Sequence, residues 1–249
     1  MNKRFWEIDF LRGIAIIMMV IFHFLFDIYY FDGLAFNPHS GFWWVFARIT
    51  ASIFIILVGV SLTLSHSRAR HKGIVSGFSK YLKRGLKIFG WGIAITVLTW
   101  LFLPSGLIMF GVLHLIGISI ILAYPLMRYR YLNFVLGTIF ILIGVYLSTM
   151  TFDFYWLVWL GFMPHSFYTL DYFPIFSWFG VVLIGIMVGN ILYKDYVRRF
   201  RLPDISNNRL SRLLCYLGRH SLMIYLIHQP ILIVLLYLFG IVDFGMMLH

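Results

Sequence analysis

The sequence is poor in three things. Cysteine occurs once, at Cys215, which rules out an intrachain disulfide and a thiolate metal site. Charged residues make up only 12% of the chain, against 61% hydrophobic and 20% aromatic, far from the balance of an ordinary soluble domain. No small-residue cleavage site follows the short basic start before the aromatic stretch Tyr29–Phe31, so the first apolar run reads as a retained span and not a removed signal. Internal repeats, low-complexity tracts and a soluble domain are missing too, and the chain reads as one domain, 1–249.

What remains is apolar. Runs of roughly 18 to 25 residues, each able to cross a hydrocarbon core about 30 Å thick, recur along the chain, whereas strands of a membrane barrel would be about ten residues with strict alternation. The expectation is an all-α, polytopic integral membrane helix bundle with about seven transmembrane helices, near 11–31, 43–65, 86–103, 106–127, 131–150, 174–193 and 221–241. A net charge of +11 serves orientation first and calls for no nucleic-acid partner. Lys3 and Arg4, Arg68 to Lys87, Arg128 with Arg130, and Lys194 to Arg219 fall on one side of this threading; Asp32, His39, Asp153, Asp171 and Asp243 fall on the other. The positive-inside rule then places the N-terminus in the cytoplasm and the C-terminus outside, in a multi-pass protein of the cell membrane. Arg48, near the outer end of the second span, departs from this partition. Segment 151–172, aromatic and containing Pro164, reads as an external loop or a re-entrant helix at the interface.

The first span, IDFLRGIAIIMMVIFHFLFDIYY (8–30), carries Asp9, Arg12, His23 and Asp27. Arg12 and His23 are eleven residues apart, about three helical turns, so they share a face, and Asp27 sits one turn beyond on nearly the same stripe. Facing lipid, such a stripe costs about 2.5 kcal/mol or more per charge, so it is expected to line a polar cavity. A histidine with a carboxylate one turn away has its tautomer set and its imidazolium stabilised, as a general base requires; a structural pair bonded to neighbouring helices is the other reading. Arg48 either snorkels outward or points into the cavity toward an anion. His39 has an ordinary surface reading, and His114 and His228, the latter two residues before Pro230, read as packing or interhelical hydrogen-bonding residues. No His-x-x-x-His or similar spacing supports a metal or haem, and no metal is expected. The basic segments 65–87, with Lys83 and Arg84, and 194–219 serve topology and anionic-lipid attraction, and would also attract a polyphosphate cofactor.

Three stretches carry a resemblance. LRGIAIIMMVIFH (11–23) matches the Arg, ten residues, His signature of the acyltransferase family 3 proteins in Arg12 and His23. RITASIFIILVGVSL (48–62) resembles their second signature, with Val58-Gly59-Val60-Ser61 in place of a Ser-Gly-Phe ending. LGRHSLMIYLIHQP (217–230) resembles the closing span of several membrane acyltransferases. Over about residues 5 to 240 the chain is similar to the prokaryotic branch of the heparan-alpha-glucosaminide N-acetyltransferase catalytic-domain family. The resemblance implies transfer of an acyl group, typically acetyl, from cytoplasmic acyl-CoA to a sugar or other hydroxyl or amine acceptor, a glycan or glycolipid, on the external side. Under it Arg12, Arg48, Lys83, Arg84 and His114 are expected at the acyl-CoA, and Trp43, Trp44, Asp171 and His228 at the acceptor, with Trp156 a further stacking face; an interfacial aromatic belt explains the tryptophans equally well.

The resemblance points to two histidines. In acyltransferase family 3 the histidine of the Arg-x10-His motif is the proposed base, which carries to His23. The heparan-type enzymes have Asn there, and their reactive histidine precedes the second span's Gly by about twenty residues; His39 stands twenty residues before Gly59. Spacing and a carboxylate favour His23 with Asp27, and His39 stays beside it. Direct transfer and a covalent acyl-histidine are both open. A transporter or flippase is the alternative from another class, since charges within spans also mark substrate paths; a non-catalytic sensor is a third. A homodimer is compatible with all of these.

Overall fold

The computed structural model describes residues 4–32, 37, 38, 40–73, 77–103 and 106–241. Its helices are α1 (Trp6–Asp32), α2 (Gly41–His71), α3 (Phe78–Phe102), α4 (Val112–Leu122), α5 (Arg130–Leu147), α6 (Ile175–Leu192), α7 (Arg209–Arg219) and α8 (Ser221–Leu238). No strand occurs among the described residues, only two isolated bridges. Among the described residues six helices are long and apolar enough to cross a membrane: α1, α2, α3, α5, α6 and α8. The chain is a polytopic helical membrane bundle. Two compact units divide it, one of residues 1–54 with 202–249 and one of residues 55–201.

In the first unit α1 packs on α7 and α8. Ser211, Leu214, Cys215 and Gly218 are the buried residues of α7, spaced as one helical face. Small residues let the backbones touch: a Cβ at Gly13 would overlap the Leu214 carbonyl, and one at Gly218 the Asp9 carbonyl. The Cys215 thiol donates to the Trp6 carbonyl at 3.4 Å. Inside α8, Pro230 removes the N–H that would bond four residues back.

In the second unit the part of α2 after Phe54 packs on α6 by the same means. A Cβ at Gly59 would overlap the Val182 carbonyl oxygen, one at Gly185 the Ile56 carbonyl oxygen, and the Thr63 hydroxyl bonds to the Gly59 and Ile186 carbonyls at 3.2 and 3.3 Å. Close backbone approach of this kind is how helices associate where lipid supplies no hydrophobic drive. Gly59 of the Val-Gly-Val-Ser stretch is thus a packing residue.

The span expected at 106–127 differs. Its helix, α4, has 11 residues, about 16 Å and half a hydrocarbon core. The segment nevertheless runs antiparallel along α3: Thr96 bonds to the Ile108 carbonyl at 2.6 Å, Gly92 faces the His114 ring, Gly85 faces Gly117 and Ile121, and the rings of Tyr81 and Phe78 meet Tyr124. The pass is therefore irregular over 106–111 and helical from Val112 on. Irregular backbone at such depth survives only where protein satisfies it, and here segment 169–173 does so. Thr169 donates to the Leu107 carbonyl at 2.7 Å, the Phe173 N–H donates to the Phe110 carbonyl at 2.9 Å, and Asp171 Oδ2 accepts from the Val112 N–H at 3.0 Å. Segment 151–172 is accordingly a loop with one short 3-10 turn, Val158–Leu160, and not a re-entrant helix.

Candidate functional site

In the first unit α1 and α8 bring four polar side chains together: His23 and Asp27 from one, His228 and Gln229 from the other. His23 Nδ1 lies 2.9 Å from the Met19 carbonyl oxygen, and His228 Nδ1 lies 2.7 Å from that of Tyr225. A carbonyl only accepts, so each Nδ1 carries hydrogen, and in the neutral rings each Nε2 keeps its lone pair. The two imidazoles meet edge to face with centroids 4.8 Å apart. Asp27, buried at 2% exposure, accepts a 2.6 Å hydrogen bond from Gln229 Nε2 at its Oδ1.

The expected His23–Asp27 pair is thus corrected. The His23 tautomer is set by a backbone carbonyl one turn before it, and the carboxylate is held by Gln229. This is the geometry of α1 itself, in which the carbonyl four residues back lies within reach of the imidazole, while the facing helix supplies a better donor to Asp27. Gln229 escaped the sequence reading; its signal was an amide beside His228 inside an apolar run.

Asp27 Oδ2, His228 Nε2 and Gln229 Oε1 are buried without a hydrogen-bond partner among the described residues. Each such atom costs about 1 to 3 kcal/mol, and three of them lie in one cluster on two facing helices. Chemically the cluster holds two basic nitrogens and a carboxyl, enough to accept and pass on a proton.

Arg12 forms an ion pair with Asp9 at 3.1 Å, and Asp9 also takes Arg4 at 2.7 Å. Exposed Arg48 lies over the Trp44 ring at 5.2 Å, a cation–π contact on its own helix; Trp43 meets Phe42 and Phe46 edge to face. Lys83 and Arg84 sit on the first two turns of α3 and not in a loop, because α3 begins at Phe78, eight residues before the expected boundary. His114 is buried at 2% exposure between the rings of Phe89 and Phe110, with its Nδ1 accepting from the Gly111 N–H at 3.3 Å. Asp171, expected at the acceptor, accepts from the Val112 N–H at the start of α4. Exposed Trp156 meets Phe154. His39 lies outside the described residues. Among the described residues, no group of three or more His, Cys, Asp or Glu side chains could hold a metal ion.

A family model described as heparan-alpha-glucosaminide N-acetyltransferase, catalytic, matches residues 4–230. The match begins before α1 and ends on Pro230, so it takes in all four residues of the cluster. No curated protein and no solved structure matches the chain.

Proposed function

The chain belongs to the heparan-alpha-glucosaminide N-acetyltransferase catalytic family, a family of membrane acetyltransferases, and from this premise we propose that it transfers an acetyl group across the cell membrane, from cytoplasmic acyl-CoA to a hydroxyl or amine on an external glycan or glycolipid. The observation that carries the reading is the His23, Asp27, His228, Gln229 cluster inside the matched stretch. His23 Nε2 takes the proton from the acceptor as its oxygen or nitrogen attacks the thioester carbonyl. The new acyl bond forms, the C–S bond breaks, and the proton passes to the departing thiolate. His228 holds the His23 ring edge to face, and Gln229 orients Asp27. The N-terminus is cytoplasmic, so the basic ends of the helices receive the donor.

Transport is the second reading, favoured by the irregular stretch 106–111 ahead of α4, since interrupted helices line substrate paths in transporters. Purified protein in nanodiscs with acetyl-CoA, scored by release of the coenzyme A thiol, separates the two, because a transporter consumes no thioester. The expected result is release that falls by about 10²- to 10⁴-fold, the usual worth of a general base, in His23→Ala. Wild-type rates in His23→Ala with loss in His39→Ala would overturn the assignment of the base.

A further inference from the structure

The short helix α7 divides its surface into three faces. Ser211, Leu214, Cys215 and Gly218 are buried, and Leu214 and Gly218 close on α1 at Gly13 and Asp9. Leu210 and Leu213 are 63% and 54% exposed, and Leu217 is half-buried. Arg209, Arg212, Tyr216 and Arg219 are exposed as well. Within each of the last two sets the residues are three or four positions apart, so each set forms one stripe of the helix. A leucine stripe and an arginine stripe thus remain uncovered beside the face packed on α1.

Two neighbours fix where these stripes lie. His220 alone separates α7 from α8, which is long and apolar enough to cross a membrane. On the other side α7 meets α1 over residues 9–13, at the start of that span, where Asp9 pairs with Arg4 and Arg12. So α7 lies where α1 and α8 enter the bilayer. With 11 residues it is about 16 Å long and does not itself cross. It carries no acidic residue. Glu7 and Asp9 of α1, which act on Cys215, are buried, and Asp204, ahead of α7, accepts from the Ser206 N–H. The positive-inside rule explains arginines in this connection; it does not explain why they share one stripe and leucines the next. That pairing suits a helix at a membrane surface, with leucines at the acyl boundary and arginines reaching anionic headgroups on their apolar stems.

We propose that α7 is an interfacial helix: Leu210, Leu213 and Leu217 enter the lipid of the leaflet at which α1 and α8 begin, and Arg209, Arg212 and Arg219 hold anionic phospholipid headgroups there. The occupant of the uncovered faces is the bilayer itself, which ties the joint between α7 and α8 to the membrane surface. This anchoring is independent of acetyl transfer.

The test uses the full chain in nanodiscs of phosphatidylcholine and phosphatidylglycerol, carrying a nitroxide label at Leu213→Cys or, separately, at Arg212→Cys, each in a Cys215→Ser background. Collision of the label with oxygen, which concentrates in lipid, is compared with collision with a nickel chelate, which stays in water. The ratio of the two should be at least about fivefold higher at the Leu213 site than at the Arg212 site, as for a face sunk into the headgroup and acyl boundary. A Leu213 site as open to the chelate as the Arg212 site, or closed to both reagents as under a second protein, overturns the proposal. Phosphatidylglycerol retention, read by native mass spectrometry, needs no label and keeps Cys215. Arg209→Gln combined with Arg212→Gln should weaken it by at least about tenfold at an unchanged melting temperature, and this measurement decides if Cys215→Ser unfolds the chain. Equal retention by the wild type and this variant, or none by the wild type, also overturns the proposal.

Discussion

The imidazoles of His23 and His228 meet at 4.8 Å with their planes 77° apart, and both Nδ1 atoms are committed to carbonyls of their own helices. Each ring is therefore turned by its own backbone, and the two basic Nε2 atoms are what the pair has left to offer. His228→Ala would remove the edge that holds His23 in place. Turnover should fall by about tenfold in that variant, less than the loss from removing a general base outright, as measured by thiol release.

The Asp27–Gln229 bond lends itself to a double-mutant cycle. Gln229→Leu leaves a buried carboxyl with neither oxygen bonded, which costs about 1 to 3 kcal/mol. Asp27→Leu combined with Gln229→Leu replaces both partners by apolar groups and should recover most of that stability. Thermal melting in detergent reads both effects. A double variant no more stable than the single would show that the pair does not act as a unit.

Asp171 allows capping of α4 to be told from binding of the acceptor. As a cap on α4 it accepts from the Val112 N–H, so Asp171→Ala should cost about 0.5 to 2 kcal/mol and Asp171→Asn less. Melting temperature should fall in that order while the acceptor KM stays unchanged. A raised KM with an unchanged melting temperature would return Asp171 to the acceptor.

Gly59 and Gly90 make a matched pair. A side chain at Gly59 would strike the Val182 backbone, whereas nothing lies within 4 Å of a Cβ at Gly90. Gly59→Val should lose monodisperse protein on size-exclusion chromatography, since forcing bulk into a packed site costs about 1 to 3 kcal/mol or more. Gly90→Ala should raise stability by about 0.5 to 1 kcal/mol, the helical advantage of alanine over glycine.

Cys215 gives a label for local opening. Burial, then the nearby Asp9 carboxylate, pushes its thiol pKa up, so at any pH below that pKa the reactive thiolate is scarcer than for an ordinary cysteine. Maleimide labelling of the folded protein should be at least about tenfold slower than in denaturant, and should quicken as pH rises. Fast labelling at neutral pH would mean that α7 detaches readily from α1.

Much of this was legible without coordinates. The helix positions followed from apolar run length, because a bilayer core demands about twenty apolar residues of any helix that crosses it. The stripe of Arg12, His23 and Asp27 followed from helical periodicity. The start of α3 did not, since the basic stretch through Lys83 and Arg84 reads as loop by composition but has no proline or other break to stop a helix. Nor did the irregular start, 106–111, of the pass at 106–127, whose apolar composition is that of an ordinary span. It unwinds because Thr96, Thr99 and segment 169–173 satisfy its backbone from elsewhere in the chain.

By itself the sequence determined that this is a polytopic helical membrane protein, which residues carry ionisable groups into the bilayer, and which family it resembles. Those properties are local, set by composition, spacing and motif. The tertiary structure decided which of those groups meet. Asp27 and Gln229 are 202 positions apart, and a stripe on α1 does not say what faces it. Only the packing of α8 on α1 turned a histidine with a nearby carboxylate into a two-histidine cluster with Asp27 held by an amide. Only the return of segment 169–173 to α4 made Asp171 a cap.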